Sequence, residues 1–305
     1  MLGRMNVGPV TPPRLVDVTQ RYPELADYAR FTTRLHPRRG EPQVYQSSIG
    51  GPLLWPSREP WPTCTTPWWS HEADDYFQPH HVPNPLVAVL QLFAADAPTI
   101  RFAPGADLLQ VLWCPVHHID LPDQEGAYAP AVRLIWRDTA VAVKGGITHP
   151  PSPADVDDTM VPEPCVLHPE QVLEYSLDLP DELWKRVGPY DQWGGTEWIR
   201  GDGTRFWYDL NYQYDLSVAP GTKAGGWARW HAKDPYPMPC AGCGRQLELL
   251  LSFGSVERDD GAGSWNTEER DDWRITCLTL GRGGDLQIFY CPSDPTHPHH
   301  VMVQG

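Results

Sequence analysis

Long apolar runs are missing from this chain of 305 residues. The longest apolar stretch, residues 86–95, is interrupted by Gln91 and is far shorter than the roughly 20 residues that cross a bilayer. The first ten residues contain no continuous apolar core, and prolines follow them at once, so no secretory signal is recognisable. We therefore expect a cytoplasmic protein without a membrane partner.

Positive charge is also scarce, because 24 Lys and Arg face 39 Asp and Glu and give a formal net charge of −15. A surface this acidic repels phosphate backbones, which argues against a nucleic-acid partner. One basic run stands against this background, and it is either a solvated helix end or a local contact for an anion, a protein or RNA. Its members are Arg30, Arg34, His36, Arg38 and Arg39.

Known catalytic signatures are absent from the sequence: there is no nucleophile elbow, phosphate loop, dinucleotide-binding glycine pattern or H-E-x-x-H helix. No residue is therefore nominated as catalytic. An enzyme that acts on a small molecule or nucleotide, in a cleft between two repeats, remains an alternative.

Proline (34 residues) and glycine (26) are abundant, which favours many short elements joined by turns. Three blocks also occur twice in the same order, with offsets of 175, 160 and 177 residues. They are residues 48–51 and 223–226, 87–93 and 247–253, and 107–115 and 284–292. We predict an α+β fold that is β-rich, in which strand-and-turn units are internally duplicated beside a few short helices.

The repeat suggests four segments that form one compact pseudo-symmetric unit. They are an N-terminal helical segment (1–40), a first β-rich repeat (41–147), a linker with a connecting helix (148–215) and a second β-rich repeat (216–305). Apolar residues at helical spacing predict a helix over 22–35, and 168–187 has scattered helical character.

Seven cysteines are spread along the chain, and without an export signal we expect free or metal-bound thiols rather than disulfides. Cys240 and Cys243 form a C-x-x-C turn, which suits tetrahedral zinc. Cys291 is the preferred third ligand and His297 a fourth, ahead of Asp294 and His299. The alternatives are a reduced cysteine pair on a loop and a redox pair.

A weaker counterpart in the first repeat consists of Cys64, His71, Cys114 and His117, with His118 as a spare. Either site would be a closed structural zinc site. Cys165 and Cys277 have no spaced partner and are interpreted as small core residues.

Tryptophan occurs 14 times. The rings either fill the core of a loop-rich fold or line a groove for an extended or proline-rich peptide. The candidates for such a groove are Trp68, Trp69, Trp227 and Trp230, together with the Gly225–Gly226 turn.

Residues 47–56, 59–64, 107–115, 223–227 and 240–244 together resemble the actinobacterial branch of the YwqG-like family, bacterial domains of unknown function. The pattern is also distantly similar to the eukaryotic programmed-cell-death-two and ribosome-maturation chaperone proteins. The resemblance implies the duplicated fold and, by analogy, chaperone-like or adaptor work. Our leading hypothesis is a peptide- or protein-binding module without catalysis.

Overall fold

The structure, a computed structural model, describes residues 11–69, 77–119, 121–122, 124–125, 129–143, 150–199, 204–258, 264–266 and 274–305. Short strands dominate it, which confirms the predicted β-rich α+β class. No helix in these ranges is long and apolar enough to cross a membrane. The strands, in chain order, are β1 (Ala29–Arg34), β2 (Arg38–Arg39), β3 (Ser48–Ile49), β4 (Thr63–Cys64), β5 (Trp68–Trp69), β6 (Phe77–Gln78), β7 (Asn84–Pro85), β8 (Val87–Phe93), β9 (Leu108–Trp113), β10 (Gln124–Glu125), β11 (Val132–Arg137), β12 (Cys165–Val166), β13 (Glu170–Tyr175), β14 (Gly195–Ile199), β15 (Arg205–Asp209), β16 (Lys223–Ala224), β17 (Glu248–Gly254), β18 (Asp285–Tyr290) and β19 (His300–Gln304).

The helices of the described segments are short, and none of them exceeds two turns. The α-helices are α1 (Val18–Arg21), α2 (Thr139–Ala142) and α3 (Asp181–Val187). A 3₁₀ helix of six residues covers Pro23–Tyr28. Single 3₁₀ turns cover Ala94–Asp96, Asp158–Met160 and Tyr190–Gln192, and a π-helical turn covers Tyr212–Ser217.

Two sheets carry most of the strands. The larger has the order β10-β19-β18-β17-β16-β1-β13, and the smaller has the order β11-β9-β8-β3-β12-β2. The run β3-β8-β9-β11 in one sheet therefore matches β16-β17-β18-β19 in the other, strand by strand. The ladder β8–β9 has an irregularity between Ala88 and Leu90, and β17–β18 has one between Leu249 and Leu251. The predicted strand-and-turn unit is thus present in both sheets.

The pairing corrects the predicted alignment of the middle block by one residue. Leu90 pairs with Val111 in the first unit, and Leu251 pairs with Ile288 in the second. Because the third block has an offset of 177, the middle offset is 161 rather than 160. This matters, since a slip of one residue moves every side chain of a strand to the opposite face of the sheet.

A fourth repeated block lies in the segments that were assigned to the N-terminal helix and the linker. Thr33 of β1 pairs with Ala224, and Cys165 of β12 pairs with Ile49, at equivalent places beside β16 and β3. The residues that follow read Leu-His-Pro in both segments, at 35–37 and 167–169. Each segment begins in one sheet and ends in the other, so β1 and β2 correspond to β12 and β13.

These crossing segments overturn two parts of the sequence-based prediction. The helix expected over 22–35 is a 3₁₀ turn (Pro23–Tyr28) followed by β1, and the helical region expected over 168–187 begins with β13 before α3. The segments 1–40 and 148–215 therefore contribute strands to the two sheets instead of standing outside them.

The main core fills the space between the two sheets. Trp113 of the smaller sheet packs edge-to-face against Phe253 of the larger, with ring centroids 5.5 Å apart. Leu92, Leu251 and Ile288 belong to the same buried cluster. Side chains from both sheets therefore meet in one buried core.

Candidate metal centres

One further apolar cluster lies against the outer face of each unit. The members of the two clusters correspond to each other through the repeat. In the first unit Trp55, Cys64 and Cys114 belong to this cluster, and in the second unit Trp230, Cys240 and Cys291 hold the equivalent places. Beside each cluster the structure brings four side chains together that could hold a metal ion. The first group is Cys64, His80, Cys114 and His118, and the second is Cys240, Cys243, Cys291 and His297.

The same backbone framework positions the cysteines in both units. Cys64 is the last residue of β4. Two residues before it, Pro62 accepts a hydrogen bond from the Leu86 N–H group and extends the β4–β7 pairing. In the second unit Leu247 N–H donates to Met238 C=O at the equivalent place, in front of Cys240. The other pair, Cys114 and Cys291, follows directly after β9 and β18. In each unit, one thiol therefore comes from the segment before the long strand pair, and the other from the end of β9 or β18.

The C-x-x-C turn of the second unit has the geometry that a metal knuckle needs. The backbone N–H groups of Cys243 and Gly244 donate to the carbonyl of Cys240, and Gly242 N–H donates to its Sγ at 3.3 Å. Gly244 has a φ of +73°. A Cβ on Gly242 would lie 2.9 Å from the ring of His297, so only glycine lets the imidazole approach.

Distances in the second group match a tetrahedral site. The Sγ of Cys240 lies 3.4 Å from Nδ1 of His297, and the Sγ atoms of Cys243 and Cys291 are 3.5 Å apart. All four ligand atoms lie within 4.8 Å of one another. Zinc bonds of about 2.0–2.3 Å place tetrahedral ligands about 3.4–3.8 Å apart. The four residues proposed from the sequence for this site are thus close enough to share one ion.

The first group combines two buried thiols and two imidazoles. Nε2 of His118 lies 3.8 Å from the Sγ of Cys64, and Nε2 of His80 lies 3.6 Å from the Sγ of Cys114. The remaining ring nitrogens face acceptors. Nδ1 of His80 lies 2.6 Å from the Asp155 carboxylate, and Nδ1 of His118 lies 3.0 Å from the carbonyl of Pro67. Since a carboxylate and a carbonyl only accept, each ring donates through Nδ1, and its Nε2 atom is the nitrogen that faces a cysteine sulfur.

This arrangement corrects the ligand set predicted for the first repeat. Cys64 and Cys114 are in the cluster, but His117 is not, because its Nε2 lies 3.3 Å from a carboxylate oxygen of Asp157. His118, held as a spare in the sequence, takes part instead. His71 lies outside the described residues.

His80 was missed by the sequence interpretation. It lies 16 residues after Cys64, in an insertion that the second repeat does not share. No spacing rule could single it out there, and only its pairing with Asp155 in the folded chain reveals it.

Electrostatics favour the metal-binding thiolate in both groups. A hydrogen bond from the Cys114 thiol lowers the pKa of Cys64, and His118 lowers it further, while that hydrogen bond and burial raise the pKa of Cys114. Burial raises the pKa of Cys291, but the backbone N–H of Asp294 and the His297 side chain outweigh this effect and lower that pKa to about 6. In each group one thiol therefore has a lowered pKa, which favours the thiolate form that a metal ion binds.

The aromatic residues proposed for a peptide groove are not assembled into one. Trp68 packs in the apolar cluster beside the first metal group, and Trp69 is half-buried beside it in β5. Trp230 stacks on Phe289 of β18, with ring centroids 6.2 Å apart. Trp227 donates its indole N–H to the carbonyl of Tyr28. These rings serve packing on separate parts of the molecule.

The Gly225–Gly226 turn also serves the protein's own packing. Both glycines have positive φ, and a Cβ on Gly225 would lie 2.9 Å from the carbonyl oxygen of Thr99. A Cβ on Gly226 would collide with the carboxylate of Glu174. The space beside each Cα atom is filled by atoms of the protein itself, and ligand binding at this turn stays a prediction.

The basic run is divided between buried and exposed residues. Arg34 is 3% exposed and donates to the carbonyl of Trp265, and His36 is buried too. The guanidinium of Arg30 lies over the Trp227 ring, 3.8 Å from its centroid. The run lies on β1, β2 and the residues between them rather than at a helix end, and its exposed members are Arg30 and Arg39. An RNA contact through it stays a prediction.

Cys165 and Cys277 differ in burial. Cys165 is fully buried as expected, whereas Cys277 is exposed with a φ of +59°. Nη2 of Arg39 donates to the Sγ of Cys277 at 3.0 Å. The core assignment of Cys277 is therefore wrong, because its turn directs it outward.

A cavity of about 250 Å³ lies between the N-terminal segment and β13. Three charged side chains line it, and each has a protein partner: Arg14 donates to the carbonyl of Leu216, while Glu170 and Asp215 accept from the backbone N–H groups of Thr11 and Asn211. Ser264 lines it as well, and its hydroxyl donates to the backbone carbonyl of Asp215.

No model of a known protein family matches the chain, and no curated protein matches it either. The resemblance to the YwqG-like family thus stays a prediction. The paired Cys/His groups are the feature from which a function has to be inferred.

Proposed function

We propose that this chain is a non-catalytic protein-binding module in which each β unit is closed by one structural zinc ion. The observation that carries the proposal is that each unit gathers four protein ligands of sulfur and nitrogen within 4.8 Å of one another. Thiolate and imidazole select zinc over magnesium or calcium, which prefer oxygen ligands. Four protein ligands also leave no position for a reacting water, so the sites support the fold.

The location of the two groups supports a structural role. Both lie against an apolar cluster on an outer face, where Cys64, Cys114, Cys240 and Cys291 are buried. A zinc ion there joins the end of β9 or β18 to the preceding turn, and so fastens a proline-rich loop to the sheet. In small zinc domains such a site contributes on the order of 10 kcal/mol of folding free energy.

Metal analysis of the purified chain tests the zinc part of the proposal. We expect two zinc ions per chain and a marked fall in the unfolding temperature after exhaustive chelation. Cys114→Ser should bind one zinc ion and unfold earlier, whereas Cys277→Ser, which changes a cysteine outside both groups, should behave as wild type. A chain without zinc whose unfolding temperature does not respond to a chelator would contradict the proposal.

The free edge of the smaller sheet supports the protein-binding part. In the larger sheet β19 is covered by β10, which pairs with it in parallel through Val301 and Met302. The equivalent strand of the smaller sheet is β11, and in the described part of the chain no strand pairs with its outer edge. The pairing of β10 with β19 therefore shows that a further strand can add at the position equivalent to the outer edge of β11.

The outer edge of β11 presents backbone groups for such pairing. Cys114 N–H donates to the carbonyl of Ala131, so alternation along the strand turns the polar groups of Val132, Leu134 and Trp136 away from β9. An extended segment of another protein can add there by β-augmentation. The net charge of −15 steers basic partners towards the chain, so we take the occupant to be a basic extended segment.

Peptide binding followed by amide hydrogen exchange tests this surface. The probes are peptides of about ten residues that alternate apolar residues with Lys, and the controls carry Glu in place of Lys. We expect the Lys peptides to bind and to protect the amides of Leu134 and Trp136, while those of β19 stay unchanged. Equal binding of both peptide sets, or protection elsewhere on the chain, would contradict a basic strand at β11.

A further inference from the structure

The two metal groups differ in how far their sulfur atoms are accessible. In the first group both cysteines are buried, with Cys64 at 6% and Cys114 at 0% exposure. In the second group Cys240 and Cys291 are buried, but Cys243 is exposed. A dissolved oxidant can therefore reach a thiolate of the second group without any opening of the fold.

The exposed sulfur also has a buried partner at close range. The Sγ atoms of Cys243 and Cys291 are 3.5 Å apart, closer than the 4.8 Å limit that holds for each group as a whole. A disulfide needs about 2.05 Å, so a small movement of the exposed turn would bring the two into bonding distance. Cys243 lies on a turn between Gly242 and Gly244, which has a positive φ and can absorb that movement.

The nitrogen ligands reinforce the difference between the two groups. Both imidazoles of the first group are fixed through Nδ1, by Asp155 at 2.6 Å and by the Pro67 carbonyl at 3.0 Å. In the second group the free nitrogen of His297 lies 3.7 Å from Asp294, and the His297 side chain is 29% exposed. The second site is therefore held less firmly on both its sulfur and its nitrogen side.

We propose that the second group is a reversible oxidation site, at which a peroxide links Cys243 to Cys291 and releases the metal, while the first group retains its ion. The inference rests on the proposed zinc binding. Only the second unit releases its metal, so the two units of the repeat differ in function. One metal site is permanent, and the other responds to oxidant.

The chemistry balances with hydrogen peroxide as the oxidant. The Cys243 thiolate attacks one peroxide oxygen, the O–O bond breaks, and a sulfenic acid and hydroxide form. The Cys291 thiolate then attacks the Cys243 sulfur and expels a second hydroxide. The two sulfurs lose two electrons in total, the peroxide gains them, and two protons from solvent convert both hydroxides to water. Zinc, left with Cys240 and His297 alone, dissociates.

Zinc release from the full chain, followed with a chromogenic chelator, tests the inference. The zinc content is measured first, so a chain that binds no zinc fails the proposed function and not this step. With limiting hydrogen peroxide we expect one zinc ion per chain to leave about tenfold faster than the other, because only one group exposes a thiolate. Peptide mapping should find the Cys243–Cys291 linkage, and dithiothreitol with added zinc should restore the original content.

Matched variants separate the site from general cysteine oxidation. Cys277→Ser removes an exposed cysteine outside both groups and should keep the fast phase, whereas Cys243→Ser should lose it. If Cys243→Ser does not fold, mapping of the wild-type chain still decides the question. Equal release rates for both ions, a linkage between Cys64 and Cys114, or loss of the fast phase in Cys277→Ser would each overturn the proposal.

Discussion

Asp155 accepts a 2.6 Å hydrogen bond from Nδ1 of His80, and this contact leaves Nε2 as the nitrogen that faces the Cys114 thiol. Asn84 holds the segment that carries Asp155, since its amide oxygen accepts hydrogen bonds from the backbone N–H groups of Ala154 and Asp155. The segment that carries Asp155 was expected to be a linker between the repeats. It instead orients a side chain of the first metal group.

Asp155→Asn should weaken metal binding at the first group by about 10- to 100-fold, because an amide holds the imidazole less firmly and makes it a poorer ligand. Competition with a chromogenic chelator measures the affinity. The matched control is Asp157→Asn, which changes a carboxylate that faces His117 outside the group. Equal affinities of the two variants would show that Asp155 does not act on the metal.

The ion pair between Lys223 and Glu174 is fully buried, with side-chain exposures of 1% and 0%. Burial lowers the pKa of Lys223, and the two Nζ–carboxylate contacts of 2.9 and 2.8 Å oppose that effect. The equivalent residue of the first unit is Ser48, so the pair is a feature of one unit and not of the repeat.

Lys223→Met should cost about 3–5 kcal/mol of unfolding free energy, because it leaves the Glu174 carboxylate buried without a counter-charge. Chemical denaturation of the zinc-loaded chain measures this cost. Lys185→Met is the matched control: Lys185 pairs with Glu182 on the surface, and its loss should change stability by less than about 0.5 kcal/mol. Similar losses of unfolding free energy in both variants would show that burial of the ion pair does not set the cost of breaking it.

Part of the fold could be predicted because the repeated strands are apolar runs. Leu108–Trp113 and Asp285–Tyr290 stand out in the sequence and occupy equivalent places. The crossing strand β1 could not be predicted, because it buries polar side chains and exposes an apolar one. Thr32 is fully buried and its hydroxyl donates to two carbonyls, whereas Phe31 is 60% exposed. A pattern of apolar spacing misassigns such a strand as a helix.

The second metal group was predictable and half of the first was not, for one physical reason. Cys240 and Cys243 lie in one turn, so their spacing fixes their separation. His80 and Asp155 come from segments 75 residues apart, and only the folded chain brings them together. Spacing predicts ligands that share a turn, and the repeat points to a cysteine at a strand end such as Cys291, but neither signal reaches a ligand in an unshared insertion such as His80.

Gly225 and Gly105 both have positive φ, +67° and +77°, but they differ in the space around them. A Cβ on Gly105 would meet nothing within 4 Å, whereas one on Gly225 would lie 2.9 Å from a backbone carbonyl of Thr99. Gly105→Ala should therefore lower the free energy of unfolding by about 1–2 kcal/mol, which is the cost of a left-handed backbone conformation for a residue with a Cβ.

Gly225→Ala should cost about 1–3 kcal/mol more than Gly105→Ala, because the inserted methyl group must displace the Thr99 segment. Thermal or denaturant unfolding of both variants provides the comparison. Equal losses would mean that the close approach across the repeat turn contributes nothing beyond the backbone conformation.

His36 makes stability depend on pH in the acid range. Burial is the main cause that lowers the pKa of His36 to about 4, Arg34 lowers it too, and the 3.0 Å contact with Glu170 opposes both. The unfolded chain binds a proton at this position below about pH 6.5, and the folded chain does not until about pH 4. The contribution of His36 to stability is therefore lost as the pH falls from about 6.5 to 4, by about 3 kcal/mol in total.

His36→Gln should remove this loss, so the free energy of unfolding of the variant should fall less steeply than that of wild type between pH 6.5 and 4. Protonation of the metal ligands also destabilises the chain in acid, but both proteins share those ligands, and the difference between the two curves isolates His36. Denaturant unfolding at a series of pH values measures it. The curves should run parallel above pH 7, where His36 is neutral in both the folded and the unfolded chain. Parallel curves down to pH 4 would show instead that Glu170 keeps His36 protonated in the folded protein.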